Sequence, residues 1–330
     1  MISERLQRQL SRLRQDRNGD WDVSVCGKAP HKPLMLLAVA DLIEAGFIRD
    51  NLIPYNQRLL TAFDGYWNRC CGDRITNPLQ PYWYLKGDGF WMLKARSGHK
   101  QVLDTLVANG RIPPMRRAEE LIDGASLDSE LFESLLTDVG RKEFRNLIIG
   151  TFFSGEIQRV LAEQHSIIIN AAQYEHVLRR RLDQELADLF AGDDALDAAF
   201  TDQSRSLAFR SVVVEAYGHV CSVCETHIRT PSGRSAVQAA HIVPFSVCRN
   251  NDPRNGLALC PLHHWAFDQG MLAVTSSFTV RIHPYAGQLP ADSGFRALNG
   301  RSLKIPDDRR MHPALIALEW HLRNVYDKIV

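Results

Sequence analysis

Two sets of side chains between Cys221 and Asp268 have the types and spacing to do chemistry. Cys221-Ser-Val-Cys224 and Cys260-Pro-Leu-His263 are two tight pairs, each able to present two ligands to one ion. Four N/S donors in two such pairs match the closed tetrahedral site of a structural Zn²⁺. A CxxC alone also suits redox chemistry, but no thioredoxin-like βαβ pattern surrounds this one, and the second pair selects zinc.

The other set is His241, Asn255 and His264, in that order and interleaved with the first. Hydrolysis of a phosphodiester needs an activated water, stabilisation of a pentavalent phosphorane and help for the departing 3′ oxygen. A neutral imidazole supplies the first and one divalent ion the other two. His241 lies in the strand-like run AAHIVPF, from which it emerges at a sheet edge as general base. Asn255, in the loop DPRNGL, ties that loop to the backbone and holds the base in place. His264 opens a helix, points toward His241 and binds the catalytic Mg²⁺ or Mn²⁺. Asp268, one helical turn on, orients the His264 imidazole or merely keeps the helix soluble. One isolated histidine is more often a hydrogen-bonded core residue, the reading for His219, His227, His283, His312 and His321. The joint occurrence of the two sets reverses it for His241.

These motifs resemble the HNH endonuclease family with its ββα-metal core. AHIVPF stands for the first motif, NGLALC for the second and HHWAFDQG for the third, with FRSVVVEAYGHVCSVC upstream. The zinc pairs are interleaved as in zinc-containing members, and the resemblance runs from Arg205 to the end of the sequence. Many members carry an acidic metal ligand immediately before the first His, whereas this sequence has Ala240. That leaves His264 as the main protein ligand, with Asn255, waters and the phosphate completing the shell.

The elements that position these residues belong to an α+β chain of 330 residues, 45% hydrophobic and 23% charged, long enough for two domains. Its 39 basic and 38 acidic residues give a net charge of +1, so a nucleic-acid partner needs a local basic face. Three of the seven cysteines have metal-ligand spacing; Cys26, Cys70, Cys71 and Cys248 remain as free thiols, which suits a reducing cytoplasm. The charged first residues lack the apolar stretch of a signal peptide, and Leu34–Ile43 is too short, and interrupted by Asp41, to span a membrane.

Apolar spacing predicts a helix over residues 2–16 and another over Leu34–Ala45, with Pro33 in its first turn and Gly46 as its cap. An extended piece at Leu52–Pro54 and a helix from Asn56 come next. The aromatic segment QPYWYLKGDGFWMLK reads as a hairpin turning at Gly87-Asp88-Gly89. Helices return over 118–153, and Ala171–Phe190 forms a further amphipathic helix before an acidic linker, AGDDALDAAFTD. The expected domains are a mixed helical/β DNA-recognition domain at 1–160, a connector or dimerisation element at 161–204 and a zinc-containing nuclease domain at 205–330. His321 sits in a terminal helix packed on the nuclease core.

The combination HKPLMLLAVADLIEAG, NLIPY, NPLQPYWYL and GDGFWML resembles the sulfur-binding domain of McrA-type modification-dependent restriction enzymes over residues 28–155. Those enzymes join such a domain to a C-terminal HNH module, the order seen here. Sulfur in place of a phosphate oxygen is larger and more weakly hydrated, so an apolar concavity rewards its burial while adjacent cations hold the phosphate. The resemblance implies a pocket of Pro81, Tyr82 and Tyr84, with His31 and Lys32 beside the phosphate. The family commonly shows Tyr-Pro and an Arg near these places; here Gln80 precedes Pro81 and His31 precedes Lys32. The expected function is a type IV-like restriction endonuclease acting on double-stranded phosphorothioate DNA as a cytoplasmic homodimer. The alternatives are an HNH nuclease reading methylated or unmodified DNA, and a non-catalytic zinc DNA-binding protein, made conceivable by Ala240.

Overall fold

Helix α2 (His31–Glu44) is buried continuously from Lys32 to Ile43, as a segment apolar on most sides requires. The computed structural model describes residues 2–16, 19–186, 188–192, 197–285 and 294–328. They form two units: residues 1–169 with 231–234, and residues 170–230 with 235–330. α2 is the centre of the first. Gly46, at φ +74°, closes it in the left-handed conformation that glycine adopts without strain.

Around α2 stand α1 (Glu4–Leu10) and α3 (Gln57–Cys71), and three later helices of the unit. The Asn56 side chain caps α3 by accepting from the Leu59 N–H at 3.1 Å, and Leu59, Leu60, Phe63, Tyr66 and Trp67 line its buried face. The predicted hairpin does not form. Leu79–Tyr84 is α4, followed by a 3₁₀ turn at Leu85–Asp88. Leu79, Tyr82 and Trp83 are buried at helical spacing, and that common face overrides the β preference of the aromatic rings. Only the second arm is a strand, β1 (Trp91–Ala95), and its antiparallel partner is β2 (Ile122–Leu127), inside a stretch expected to be helical. Between them lie α5 (Lys100–Ala108) and α6 (Met115–Leu121). The extended piece at Ile53 joins β2 through two backbone bonds with Ala125, of 2.7 and 2.9 Å. Then α7 (Ser129–Leu135) and α8 (Asp138–Phe152) pack back on α2.

α9 (Glu156–Arg181) begins and ends earlier than expected, and its last part belongs to the second unit. Residues 193–196 of the expected acidic linker lie outside the described residues. Beyond them the chain is not a solvated linker: Asp197 is buried, accepts a hydrogen bond from the Tyr174 hydroxyl and pairs with Arg181 at 2.9 Å. α10 (Asp202–Ala216), capped by Thr201, leads to the part of the fold that matters chemically. β3 (Gln238–His241) and β4 (Gly256–Leu259) form an antiparallel pair, with α11 (Phe245–Cys248) in the connection, and α12 (Pro261–Asp268) comes directly after. β5 (Leu272–Val274) pairs with β6 (Val280–Ile282), and α13 (Leu315–His321) continues through a π turn to Tyr326. The α+β class and the β3-β4-α12 arrangement agree with expectation. No helix among the described residues is long and apolar enough to cross a membrane.

Asp41, the charge that interrupts the apolar run of α2, is fully buried in the first unit. Its carboxylate accepts from the Tyr66 hydroxyl at 2.6 Å, pairs with Arg145 and lies 3.2 Å from His165 Nδ1. Removing one partner of such a buried set strands the others. Asp41→Ala is therefore expected to destabilise this unit by about 3–5 kcal/mol, read by urea denaturation followed through tryptophan fluorescence. A change below about 1 kcal/mol would show that the network is energetically idle.

Candidate active site and metal cluster

The two Cys/His pairs converge in the second unit. The donor atoms of Cys221, Cys224, Cys260 and His263 all lie within 4.8 Å of one another. His263 Nδ1 is 3.4 Å from Cys221 Sγ and 3.2 Å from Cys260 Sγ. Metal bonds of about 2.3 Å to sulfur and 2.0 Å to nitrogen, set tetrahedrally, place S and N about 3.5 Å apart, so the set fits a zinc-sized ion. The sulfurs also crowd one another: hydrogen bonding with Cys221, then with His263, drives the Cys260 thiol down to about 3, while Cys260 and burial push the Cys221 thiol up. A cation relieves that competition for protons. Cys260 is the N-cap residue of α12, and Pro261 supplies its first helical residue.

His241 ends β3 opposite Gly256. Its ring stacks on Phe209 of α10 at 3.9 Å between centroids and 5° between planes. No side chain fits at 256: a Cβ there would meet Val213 Cγ2 at 2.6 Å and Phe209 Cζ at 3.0 Å. Glycine in the NGL motif thus lets α10 lie close enough for Phe209 to back the imidazole. His241 Nε2 is 3.1 Å from Asn251 Oδ1. That oxygen can only accept, so Nε2 carries the proton and Nδ1 keeps a lone pair. Burial holds the His241 pKa below the ordinary imidazole value, and this keeps the ring neutral.

Asn255 is completely buried. Its Oδ1 accepts from the Val243 N–H at 2.9 Å, and its Nδ2 donates to the Val243 carbonyl at 3.0 Å. Its own carbonyl accepts from the Ile242 N–H at 2.9 Å. The residue staples the backbone just beyond His241. Its amide is turned to Val243 instead of completing a metal shell.

His264 stands on α12 with Nδ1 2.8 Å from Gln238 Oε1, an arrangement that places the proton on Nδ1 and leaves the Nε2 lone pair. Nε2 is 3.5 Å from Asp268 Oδ2. Gln238, not Asp268, is the group that orients this imidazole. His241, His264 and Asp268 line one cleft of about 330 Å³, together with Pro244, Phe245 and His321. His321, read from sequence as a structural residue of a helix packed on the nuclease core, reaches this wall, where its Nε2 donates to the Phe267 carbonyl at 3.0 Å. Ala240 faces the other way, fully buried in the apolar core, where a carboxylate would lose its hydration without a partner. Asn251, Gln238, Phe209 and His321 were not singled out as site residues from the sequence, because nothing in their spacing marks them.

In the first unit, His31, Lys32, Pro81 and Tyr84 line a second cleft, of about 500 Å³, with Arg14, Gln80 and Lys86. Tyr82 does not reach it: the ring is fully buried, edge-on to Tyr55 and Trp91, and its hydroxyl donates to the Ile53 carbonyl at 2.7 Å. Lys32 is already engaged, paired with Asp88 at 2.5 Å, both side chains nearly inaccessible. His31 packs against Trp21 and Trp67, and burial presses its pKa to about 4, so it is a neutral wall and no phosphate cation near pH 7. Among the described residues, Arg14 and Lys86 are the cations lining this cleft that are not held in a buried ion pair, the latter lying over the Trp83 and Tyr84 rings.

Residues 221–275 match the HNH endonuclease family. A solved structure of a modification-dependent TagI restriction endonuclease aligns with 40% of this chain and 43% of its own length, at 25% identity and a TM-score of 0.29. This chain therefore spans less than half of that relative. No curated protein matches the chain. The β3-β4-α12 unit, with its paired imidazoles and Cys₃His cluster, lies within the stretch that matches the HNH endonuclease family.

Proposed function

We propose that the chain is a modification-dependent restriction endonuclease: an HNH centre hydrolyses DNA phosphodiesters, and the first unit selects phosphorothioate-modified duplexes. One observation carries the nuclease half, the cleft in which His241 Nδ1 and His264 Nε2 both retain lone pairs because Asn251 and Gln238 hold the opposite ring nitrogens. His241 takes a proton from water as its oxygen forms the new bond to phosphorus and the bond to the 3′ oxygen breaks. His264 Nε2 would hold a Mg²⁺ or Mn²⁺ ion, which supplies charge neutralisation at the phosphate and at the leaving oxygen. The Cys₃His cluster takes Zn²⁺ and serves folding. Cutting both strands calls for two centres, supplied by a homodimer or by successive binding.

The selectivity half rests on the second cleft. Pro81 and Tyr84 give it apolar surface, and Arg14 and Lys86 give it charge. A sulfur atom gains there by shedding weakly held water, whereas an oxygen of ordinary phosphate loses hydration. Matched phosphorothioate, methylated and plain duplexes should separate in a gel-shift titration, the first binding at least tenfold more tightly. Equal binding of all three would end the sulfur reading, and preference for the methylated duplex would replace it.

In a plasmid-cleavage assay with Mn²⁺, His241→Ala should lose roughly 10²–10⁴-fold in rate while the domain stays folded. Because the base must be unprotonated and its pKa is lowered by burial, the acid limb of the wild-type profile should fall below pH 6.5, the ordinary value. Equal cleavage by wild type and variant would remove His241 from the chemistry.

Cys221→Ser, or stripping zinc with a chelator, should by contrast unfold the second unit while the first keeps its own melting transition. Retention of both transitions in the zinc-free protein would make the cluster dispensable.

A further inference from the structure

We propose that Asp268 is a direct ligand of the catalytic ion, supplying from α12 the carboxylate that β3 lacks at Ala240; this rests on the metal-dependent nuclease reading above. Gln238 Oε1 fixes the proton of His264 on Nδ1, so the opposite nitrogen presents a lone pair. Facing it at 3.5 Å is an oxygen of Asp268, also a lone-pair donor. Two lone-pair donors this close form a site that a shared cation, a metal ion or a proton, would satisfy. Ligand bonds of about 2.1 Å at angles between 90° and 110° set neighbouring donors about 3.0–3.4 Å apart, close to the spacing found.

The position in the fold supports the same assignment. His264 and Asp268 are four residues apart on one helix and therefore share a face, which here is the face lining the cleft with His241. Asp268 is the carboxylate among the cleft-lining residues, and its side chain keeps 55% of its exposure, so an ion can approach without dismantling the wall. An acid at position 240 would be buried in the apolar core, on the other side of the strand. The rival role is purely electrostatic: Asp268 pairs with a protonated His264 and never touches the ion.

Mn²⁺ binding to the zinc-loaded full chain, followed by the electron paramagnetic resonance signal of the free ion, separates the two roles. Wild type should bind one Mn²⁺ that His264→Ala abolishes. Asp268→Asn should weaken that binding tenfold or more. Asp268→His should recover much of it, because an imidazole replaces a carboxylate as ligand but not as partner of an imidazolium. Unchanged zinc content and melting temperature in each variant exclude a folding defect. Wild-type affinity in Asp268→Asn, or equal loss in the Asn and His variants, overturns the ligand assignment and leaves the nuclease reading standing. Failure of the wild type to bind Mn²⁺ at all overturns both.

Discussion

His263 and His264 are consecutive residues in the first turn of α12, so their side chains leave the helix about 100° apart. That offset lets one helix start serve two centres, the Cys₃His cluster on one side and the cleft on the other. The arrangement works only if α12 cannot roll about its axis. An eight-residue helix has little stability of its own. Cys260 at its N-cap and His263 inside its first turn have their ligand atoms within 4.8 Å of those of Cys221 and Cys224, and this fixes the azimuth at which His264 emerges. The cluster thus lies outside the cleft yet sets the direction in which His264 enters it.

The same logic recurs at both imidazoles of the cleft. A carbonyl oxygen pins the proton on one ring nitrogen, from Asn251 for His241 and from Gln238 for His264, so the other nitrogen is available to the cleft. Neutral amides suit this task better than carboxylates would, since a charged partner would favour the imidazolium form and spoil a base. Asn255 acts one step further back by locking the peptide of Val243, and Gly256 by admitting Phe209 beneath the His241 ring. Each of these groups touches the backbone or ring of another residue, and together they leave the His241 imidazole little freedom to reorient.

This division explains what the sequence discloses and what it hides. Metal ligands and a general base are restricted to a few residue types at narrow spacings, so the Cys/His pairs, His241 and His264 stand out. Asn251 and Gln238 belong to types common on any surface, and only the folded chain brings them to the imidazoles. The two readings of Asp268, as a partner of His264 or as a solvated helix residue, reflect the same limit, since the i, i+4 spacing tells that the two can meet but not which ring nitrogen faces the carboxylate. The missing hairpin has another cause. In QPYWYL both the β preference of the rings and the helical spacing of Leu79, Tyr82 and Trp83 are present, and a core contact decides between them. The strand that does pair with Trp91–Ala95 comes after two intervening helices, beyond any local pattern. Asp197 shows the limit of composition: in an acidic stretch that reads as solvated, one aspartate is buried against Tyr174 and Arg181.

The electrostatics of the first unit narrow how a reader of modified DNA built on it would discriminate. Lys32 is neutralised by Asp88, and His31 is held neutral by burial, so among the described residues the charge of the cleft comes from Arg14 and Lys86 with Asp16 opposing them. The chain as a whole adds almost nothing, at +1. Non-specific affinity for DNA grows with the number of phosphates neutralised, and it is the term that treats modified and plain duplexes alike. A cleft with few available cations keeps that common term small. Whatever the apolar surface of Pro81 and Tyr84 contributes for a weakly hydrated atom then forms a larger share of the total. For a DNA reader built on such a cleft, a small common term would not change the ratio of the two affinities, but it would keep plain duplexes from competing for the site at ordinary concentrations.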